Sequence, residues 1–539
     1  MGNNNMGLIG AISYIVGNIV GSGIFISPSS IITNVESVGL TLIIWVLAAL
    51  ISILGAFCYV ELGTSIRRSG ADFAYICYVK WYPLAFSFMF VGCILTYPAT
   101  LAVQAQTFSE YIIKGLEIEF KNSTEEYFSK KLLSFALIWL LLYLNFFSIK
   151  TFVSRFQAAA SLAKVFATGI IIVTGFYWLF VKGRTEHFED MFANSTTKPQ
   201  KIVDGLFAGL FSYDGWDIIN FGMEEVDNPK RTMPLAIVIA MSLIALFYLA
   251  MNISYFVILA PSTIMGSDAV AVDFAQESLG NFRYIVPLFI SILLIGTLNS
   301  TMFSASRYLY AASREGHLPA FISCINKVHD SPRVALFVHT LLAIIFSFAG
   351  DLDELIQYIS FAQWSQRMFT MIALMYIRFR HLPVHPDAIR TPIVLPVFFF
   401  IVCSALTVIT VVETPKTALI AIALLLGGFC CFMLFKWEKS LNRFEWYQYW
   451  SEKLNTKVAI AFQLAFNGLI DQGIEEEDEM GAVLREHKER KQKLRALSVS
   501  TTTSSGNVPG APCAYTNDAL CASSESSIET LHARSKTRL

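Results

Sequence analysis

The sequence predicts an all-α integral membrane protein with twelve transmembrane helices. Its 539 residues are 55% hydrophobic and only 15% charged, which is more apolar than a soluble protein of this length. The apolar residues are gathered into runs that can each cross a bilayer, which takes roughly 20 residues in a helix. A formal net charge of −1 gives no indication of nucleic-acid binding. The predicted environment is therefore a lipid bilayer.

The first predicted span, residues 8–32, is interrupted at its centre by Gly21-Ser22-Gly23. Glycine weakens a helix, and in lipid the freed backbone groups must be satisfied by protein or by a wet cavity. The N–H groups of these three residues would begin a second half-helix and favour a carboxylate. The freed carbonyls near Ile19 would suit an ammonium, so the break fits an α-amino acid. Close helix packing is the alternative reason for the glycines.

Spans two to five are predicted at residues 40–60, 84–111, 132–147 and 158–181. The loops after spans three and five carry glycosylation sequons at Asn122 and Asn194. Because two spans separate these loops, both sequons lie on the same side, which we predict to be the outside. The basic loops then lie inside, and both termini of the chain are predicted to be cytoplasmic.

The sixth predicted span, residues 202–223, is broken like the first. Its centre reads FSYDGW, in which Gly215 weakens the helix and Asp214 places a carboxylate near mid-span. Charges inside a membrane are costly and usually functional. Corresponding broken helices in two halves of a chain point to a transporter site built from inverted repeats. The second break therefore favours a binding site over close packing alone.

Six further spans complete the predicted count: residues 235–259, 284–303, 334–348, 355–377, 393–412 and 418–435. We predict a transporter domain over residues 1–437, with inverted repeats at about 8–181 and 202–378 and two extra helices at about 393–435. Residues 438–539 are predicted to be a cytosolic, largely disordered tail. Its last residues, with Thr537 and Leu539, suit a PDZ domain. The sequence contains no nucleophile–base pair, phosphate loop or metal cluster, so we predict no enzyme, cofactor or metal.

Four stretches carry a resemblance to a known family: VGNIVGSGIF, YVELGTSIRRSGADFAY, FSYDGWDIINFGMEEVDNPKRTMPLAI and SASRYLYAASREGHLP. They resemble the light subunits of the heteromeric amino acid transporters, the L-type branch of the amino acid–polyamine–organocation superfamily. The resemblance covers about residues 7–437. It implies the inverted-repeat fold and sodium-independent exchange of amino acids, which places the chain in the plasma membrane.

The resemblance also implies which residues form the site. Ile19, Gly21, Ser22 and Gly23 would hold the substrate's α-carboxyl and α-amino groups. Lys164 in span five matches a lysine whose ammonium stands where sodium sits in sodium-coupled relatives. A fixed cation bridging the broken first span and span eight would remove the need for a coupling ion.

Span six and span ten would complete this implied site. Phe211, Ser212 and Asp214 match its contributors from span six, and Phe211 matches the gate toward the outside. Trp364 in span ten would line the end that receives the substrate side chain. In neutral amino acid exchangers a small residue is common where this chain has Asp214. A carboxylate there resembles the subfamily that handles cystine and dibasic amino acids.

Two other features depart from the family pattern. The family's cysteine that bonds a glycoprotein partner has no counterpart in residues 114–131, so no disulfide-linked heavy chain is expected. Arg367 places a second charge within span ten. If Asp214 and Arg367 pair, neither selects a charge; a free Asp214 favours cationic substrates and a free Arg367 acidic ones. Arg367 in a solvated inner vestibule is a further alternative.

These features together predict an obligate exchanger of neutral amino acids, large or aromatic, that works by alternating access. One alternative is a cationic or dibasic amino acid transporter that uses Asp214. The other is an amino acid receptor with the same fold and site but no net transport.

Overall fold

The computed structural model describes residues 7–67, 70–147, 150–221, 226–314, 316–326, 331–437 and 440–470, and the side chains at 150–158 and 442 lie outside that description. The predicted PDZ ligand, Thr537 and Leu539, falls outside the described residues, as does most of the predicted tail. The described part of the chain is nearly all helical.

In the first half of the chain, the described residues form nine α-helices and one π-helical turn at Gly92–Thr96, which joins two of the helices into one long span. The helices are α1 (Leu8–Ile19), α2 (Gly23–Val35), α3 (Val38–Ser65), α4 (Ala71–Tyr78), α5 (Tyr82–Val91), α6 (Tyr97–Gly115), α7 (Ser123–Phe146), α8 (Lys150–Phe180) and α9 (Pro199–Ser212).

The described residues of the second half form nine more α-helices and two short strands. The helices are α10 (Pro229–Ile258), α11 (Pro261–Met265), α12 (Val270–Ser278), α13 (Ile285–Arg314), α14 (Arg333–Phe346), α15 (Leu352–Phe379), α16 (Val394–Glu413), α17 (Pro415–Cys431) and α18 (Glu445–Phe466). The strands β1 (Cys324–Ile325) and β2 (Leu469–Ile470) pair antiparallel, with Cys324 opposite Ile470.

Eight helices in the described residues are long and apolar enough to span a membrane, or nine if α1 and α2 count as one bent span. The chain is therefore a multi-pass membrane protein. The predicted sixth, ninth and tenth spans correspond to α9, α14 and α15. The first two have 14 residues each, and α15 is long enough but carries polar side chains and Arg367. The predicted total of twelve spans stays a prediction.

Helices at equivalent places in the two predicted repeats pack against each other. α2 contacts α9, α3 contacts α10, α6 contacts α13, and α7 contacts α14. The two helices that follow the repeats, α16 and α17, both pack on α15. These contacts involve the first four spans of each predicted repeat, and the inverted repeats stay a prediction.

The two sequons lie at one end of this helix bundle. The two connections that carry them are linked indirectly through the ends of α2 and α3 and the α11–α12 connection. The contacts are Gly39 N to Met191 O (2.7 Å), Thr33 Oγ1 to Met265 O (3.3 Å), and Lys130 Nζ to Asp268 Oδ2 (3.4 Å). Asn122 and Asn194 are both exposed, and their shared end agrees with the separation by two spans. Their glycosylation stays a prediction.

α18 lies within the segment that was predicted as a tail. The sequence predicts no helix there, whereas the 22 residues from Glu445 to Phe466 are helical in the structure. Its C-terminal half is anchored by contacts with Phe321 and Phe337, which are far away along the chain. Such long-range contacts leave no local signal in a sequence.

A buried carboxylate joins three elements at the end of the bundle opposite the sequons. The Glu61 side chain on α3 is 3% exposed and accepts hydrogen bonds from Arg378 Nε on α15 (2.6 Å) and from the Thr391 N–H before α16 (3.0 Å). A charge buried in this way is tolerated only with a good partner, because removing that partner leaves it uncompensated. The Glu61–Arg378 pair therefore ties α15 and the residues before α16 to α3.

We expect Arg378→Met to lower the free energy of unfolding by about 3 kcal/mol, because Glu61 then stays buried without its cation. Thermal unfolding of the detergent-solubilised chain measures this change. The matched control is Asp387→Asn, which removes a surface ion pair to Arg67 (3.6 Å) whose carboxylate is 58% exposed; exposed pairs contribute about 1 kcal/mol at most. An equal loss of unfolding free energy in the two variants would contradict the assignment of Glu61–Arg378 as a buried, stabilising ion pair.

Candidate functional site

The first span breaks where the glycines predict it. α1 ends at Ile19, α2 begins at Gly23, and the two half-helices are bent by 50°. The first N–H groups of α2 lack intrahelical partners, as at any helix start. Gly21 lies against α13, since a Cβ built there would stand 3.3 Å from Cγ2 of Thr297. Span eight thus reaches the break.

The sixth span breaks in the predicted motif as well. α9 ends at Ser212, and regular helix gives way to turns before a short 3₁₀ turn at Ile218–Asn220. Gly215 has φ = +102°, a left-handed conformation that glycine adopts without steric cost. A side chain at this position would also collide with Asn18 of α1. Glycine at this position therefore serves both the turn and the approach of α1.

The two breaks are packed directly on each other. A Cβ built on Gly23 would stand 2.6 Å from Cα of Ser212, so only glycine allows this approach. Ser212 Oγ donates to Ser27 Oγ (2.7 Å), and Ser27 Oγ donates to the Ala208 carbonyl (2.7 Å). Asn18 Nδ2 donates to Gly215 O (3.3 Å). Glycine at the first break thus serves close packing as well as the break itself.

Tyr248 of α10 connects the breaks. It is not among the site residues predicted from the sequence. Its buried hydroxyl lies 3.0 Å from the carbonyl oxygen of Ile19 and 3.1 Å from that of Ser212, the last residues of α1 and α9. A hydroxyl carries one proton, so it donates to one of these carbonyls or is shared between them. The sequence offers one signal for this role. Tyr248 lies within an apolar span, and a tyrosine hydroxyl needs a hydrogen-bond partner when it is buried.

Lys164 supplies a cation beside the first break. It is 8% exposed on α8, and its Nζ donates to the Gly17 carbonyl of α1 at 2.9 Å. The expected contact with the first span is therefore present. Among the hydrogen bonds of the described residues, none joins Lys164 to span eight, which approaches the break through Thr297 instead.

Asp214 and Arg367 form an ion pair next to the sixth break. Arg367 Nη2 lies 2.6 Å from Asp214 Oδ1, and Gln363 Nε2 donates to Asp214 Oδ2 at 3.1 Å. Both carboxylate oxygens thus have partners from α15. The Arg367 side chain is only 5% exposed, whereas that of Asp214 is 31% exposed. Of the alternatives considered from the sequence, the structure has the paired one.

Two indole rings enclose the Arg367 guanidinium. Its central carbon lies 4.8 Å from the ring centroid of Trp216 and 4.9 Å from that of Trp364, within the range of cation–π attraction. Trp364, predicted to line the substrate side chain, is 2% exposed and also contacts Phe399. Trp364 therefore contacts the Arg367 guanidinium and, with Trp216, forms the pocket that holds this group.

Two further carboxylates near this pocket were not among the predicted residues. Asp217 Oδ2 lies 4.0 Å from Arg367 Nη2. The buried Asp72 of α4 accepts hydrogen bonds from Tyr59 and from Thr370 Oγ1 (2.6 Å), one turn along α15 from Arg367. The pocket therefore holds more acidic than basic side chains.

Phe211 lies on the side of the breaks that faces the sequons. It is half-buried and packs against a buried apolar cluster from α2, α5, α6 and α15 that includes Ile26, Val103 and Ile359. The structure thus brings together the predicted residues of spans one, five, six and ten. The sequons lie apart from them, at the end of the bundle.

Comparison with known proteins gives the family. Residues 6–430 match the family described as Amino acid permease. The chain belongs to the amino acid permease family. "Amino acid transporter protein 6" from Caenorhabditis elegans is 54% identical over 497 residues, covering 92% of this chain and 94% of that protein. The human "Cystine/glutamate transporter" is 33% identical over 458 residues, covering 85% and 90%, and the mouse "b(0,+)-type amino acid transporter 1" is 34% identical over 435 residues, covering 80% and 88%.

For this member of the amino acid permease family, we expect Gly23→Ala to destabilise the packed breaks by roughly 1–3 kcal/mol, the usual result of overpacking. The added methyl group would press on the Ser212 backbone. Gly17→Ala is the matched control on the same span, since a Cβ there meets nothing within 4 Å. Thermal stability and amino acid uptake are measured together, and a Gly23 variant that matches the Gly17 variant in both would contradict the close approach.

We expect Tyr248→Phe to lower the free energy of unfolding by about 1 kcal/mol, because a buried carbonyl loses its donor, and to reduce uptake. Tyr255→Phe, two turns further along α10, provides the control. The Tyr255 hydroxyl is buried without a hydrogen-bond partner among the described residues, so its removal should leave both readouts unchanged or improve stability. Identical behaviour of the two variants would mean that the Tyr248 hydroxyl does not support the breaks.

Proposed function

We propose that the chain is a sodium-independent exchanger of neutral amino acids, large or aromatic, that works by alternating access. The Asp214–Arg367 pair at 2.6 Å carries this proposal. Each charge is neutralised by the other, so the pair offers no net charge to a substrate side chain. Selection among substrate side chains would then depend on shape and apolar contact rather than on charge.

The ends of the half-helices support recognition of an α-amino acid. A carboxylate is favoured at the N-terminus of α2, beside Gly21, Ser22 and Gly23, by the helix dipole and the free N–H groups. An ammonium is favoured at the carbonyls of Ile19 and Ser212. Tyr248 supplies one proton for both carbonyls, and each carbonyl oxygen has two lone pairs, so capacity remains there for the substrate's N–H donors.

Lys164 supports independence from sodium. Its ammonium donates to Gly17 at 2.9 Å and so contributes a fixed positive charge on the half-helix that ends at the break. A protonated Lys164 in this place would make a bound metal cation unfavourable by simple repulsion. Transport would then proceed without a coupling ion.

Exchange by alternating access is supported by the arrangement of the breaks. α2 and α9 pack as one unit through Gly23, Ser27 and Ser212, and Phe211 lies at its edge against the apolar cluster. Substrate bound at both breaks would allow this unit to move as a body, while the empty carrier would move slowly. Phe211 would then act as the gate toward the outside.

A cationic substrate range is the second candidate, and one observation favours it. Asp214 is 31% exposed while Arg367 is 5% exposed, so the carboxylate is the more accessible member of the pair. Asp217 adds a second carboxylate at 4.0 Å from Arg367. A lysine or arginine side chain could then compete with Arg367 for Asp214.

The remaining features of the proposal concern partners and location. The absence of cysteine from residues 114–131 supports delivery to the plasma membrane without a disulfide-linked heavy chain. Exposed Asn122 and Asn194 are the proposed glycosylation sites, with both termini cytoplasmic. Thr537 and Leu539 would bind a PDZ-domain scaffold protein.

The test is efflux of labelled amino acids from cells that express the chain alone, in sodium-free medium. We expect efflux of leucine and phenylalanine only when an unlabelled competitor is present outside. Efflux that is equal with and without external substrate would overturn exchange. Efflux that appears only after sodium is added back to the medium would overturn the role of Lys164. Arginine efflux that exceeds leucine efflux would favour the cationic candidate.

A double-mutant cycle distinguishes the two substrate ranges. In a paired site, Asp214→Asn leaves the buried Arg367 cation with only the more distant Asp217 as a counter-ion. We therefore expect leucine transport to fall about tenfold, equivalent to ~1.4 kcal/mol. Asp214→Asn combined with Arg367→Gln should recover part of that loss. If the cationic candidate is right, Asp214→Asn abolishes arginine uptake and leaves leucine uptake intact. Asp387→Asn on the exposed surface serves as the control.

A further inference from the structure

α18 begins close to the end of the last membrane span. That span covers Pro415–Lys436, and α18 starts at Glu445. The rings of Phe435 and Tyr447 are stacked with centroids 6.5 Å apart and an interplanar angle of 27°. The start of α18 is therefore held at the level where the last span leaves the bilayer.

The C-terminal half of α18 is attached to the helix bundle by one face. Phe462 stacks on Phe321 at 4.7 Å, and Phe466 contacts Phe337 at 5.3 Å. Arg333 Nη1 donates to the Phe466 carbonyl at 3.1 Å, and strand β2 directly after α18 pairs with β1. These contacts fix the rotation of α18 about its own axis.

A different face of α18 is exposed and aromatic. Trp446, Tyr449 and Trp450 are 62%, 58% and 59% exposed. At about 100° per residue, they lie on the same side of the helix as Ile460 and Leu464, which are 49% and 79% exposed. Five large apolar side chains thus form a stripe along α18, which we call the aromatic stripe.

Two lysines lie within the aromatic stripe. Lys453 Nζ stands 5.3 Å from the Tyr449 ring centroid and 5.1 Å from that of Trp450, and Lys457 follows one turn later. The carboxylates of Glu445 and Glu452 lie toward a different side of the helix by the same helical geometry. The stripe is therefore both aromatic and positively charged.

The aromatic stripe continues a surface that already faces lipid. Leu434, Phe435 and Trp437, where the last span ends, are 45%, 51% and 49% exposed, and Phe435 touches Tyr447 of α18. Tryptophan and tyrosine are enriched at the boundary between membrane and water. Lysine can bury its stem there and extend its charge to the headgroups.

We propose that α18 is a membrane-surface helix whose aromatic stripe lies in the headgroup region of the adjacent leaflet, with Lys453 and Lys457 contacting anionic lipid headgroups. That leaflet is the cytoplasmic one in the orientation proposed above. Attraction of basic side chains to anionic lipid is worth about 1 kcal/mol per residue, and the exposed rings add apolar burial. Because its other face holds β1 and the start of α14, α18 joins the membrane surface to the connection between α13 and α14.

The experiment places an environment-sensitive fluorescent amino acid at position 450 or, as the matched control, at position 455 of the full chain. Asn455 is exposed and about 140° away from Trp450 around the helix. Each protein is reconstituted in nanodiscs of phosphatidylcholine with or without phosphatidylserine. We expect the position-450 probe to be quenched by doxyl-labelled lipid and to have a quenching constant for aqueous iodide about threefold lower than that of the position-455 probe.

Anionic lipid should strengthen this contact, and Lys453→Gln combined with Lys457→Gln should remove only the strengthening by phosphatidylserine. Equal quenching of both positions by iodide would overturn the proposal. Protection of position 450 from iodide without quenching by doxyl lipid would mean that another segment of the chain covers the stripe. Protection in native membranes but not in nanodiscs would mean that a protein partner covers it. Both results contradict lipid contact, and neither depends on the transport activity.

Discussion

Backbone groups that lose their helical partners inside a membrane must find others, and this constraint shapes the centre of the molecule. The carbonyls that end α1 and α9 share the hydroxyl of Tyr248. The Ser212 and Ser27 hydroxyls link the two half-helices and satisfy the Ala208 carbonyl. Gly23 permits the approach that makes these bonds possible. The backbone groups at the two breaks are therefore satisfied by each other's half-helices and by Tyr248, and the site proposed for an amino acid lies among these groups.

A buried guanidinium imposes a second constraint on the same region. Arg367 sits between two indole rings, within 2.6 Å of Asp214, and an unpaired charge there would be costly. The pairing decides how the acidic side chain in the sixth break is interpreted. Taken alone, Asp214 favours cationic substrates; taken with Arg367, it becomes half of a neutral pair. Asp217 is a second carboxyl group beside this pair, 4.0 Å from Arg367.

Local signals predicted the two breaks, whereas contacts between distant residues were missed. Gly21, Gly23 and Gly215 weaken helices wherever they occur, so both interruptions could be predicted within a few residues. Tyr248 could not be assigned because its partners end two other helices. α18 was missed for a related reason: its stabilising contacts come from phenylalanines more than a hundred residues away, and its exposed face mixes lysines with aromatic side chains. Hydropathy also predicted spans at α9 and α14, which have only 14 residues each in the structure, and at α15, which carries polar side chains and Arg367.

The sequence by itself determined that this chain is a helical membrane protein with two interrupted spans, because hydropathy and glycine spacing act over one or two helical turns. It also placed three charged side chains, Lys164, Asp214 and Arg367, within predicted spans. Only the tertiary structure decided how these charges are satisfied. Lys164 bonds Gly17, and Arg367 bonds Asp214, since a charge in lipid takes whichever partner the packing of other helices brings within reach.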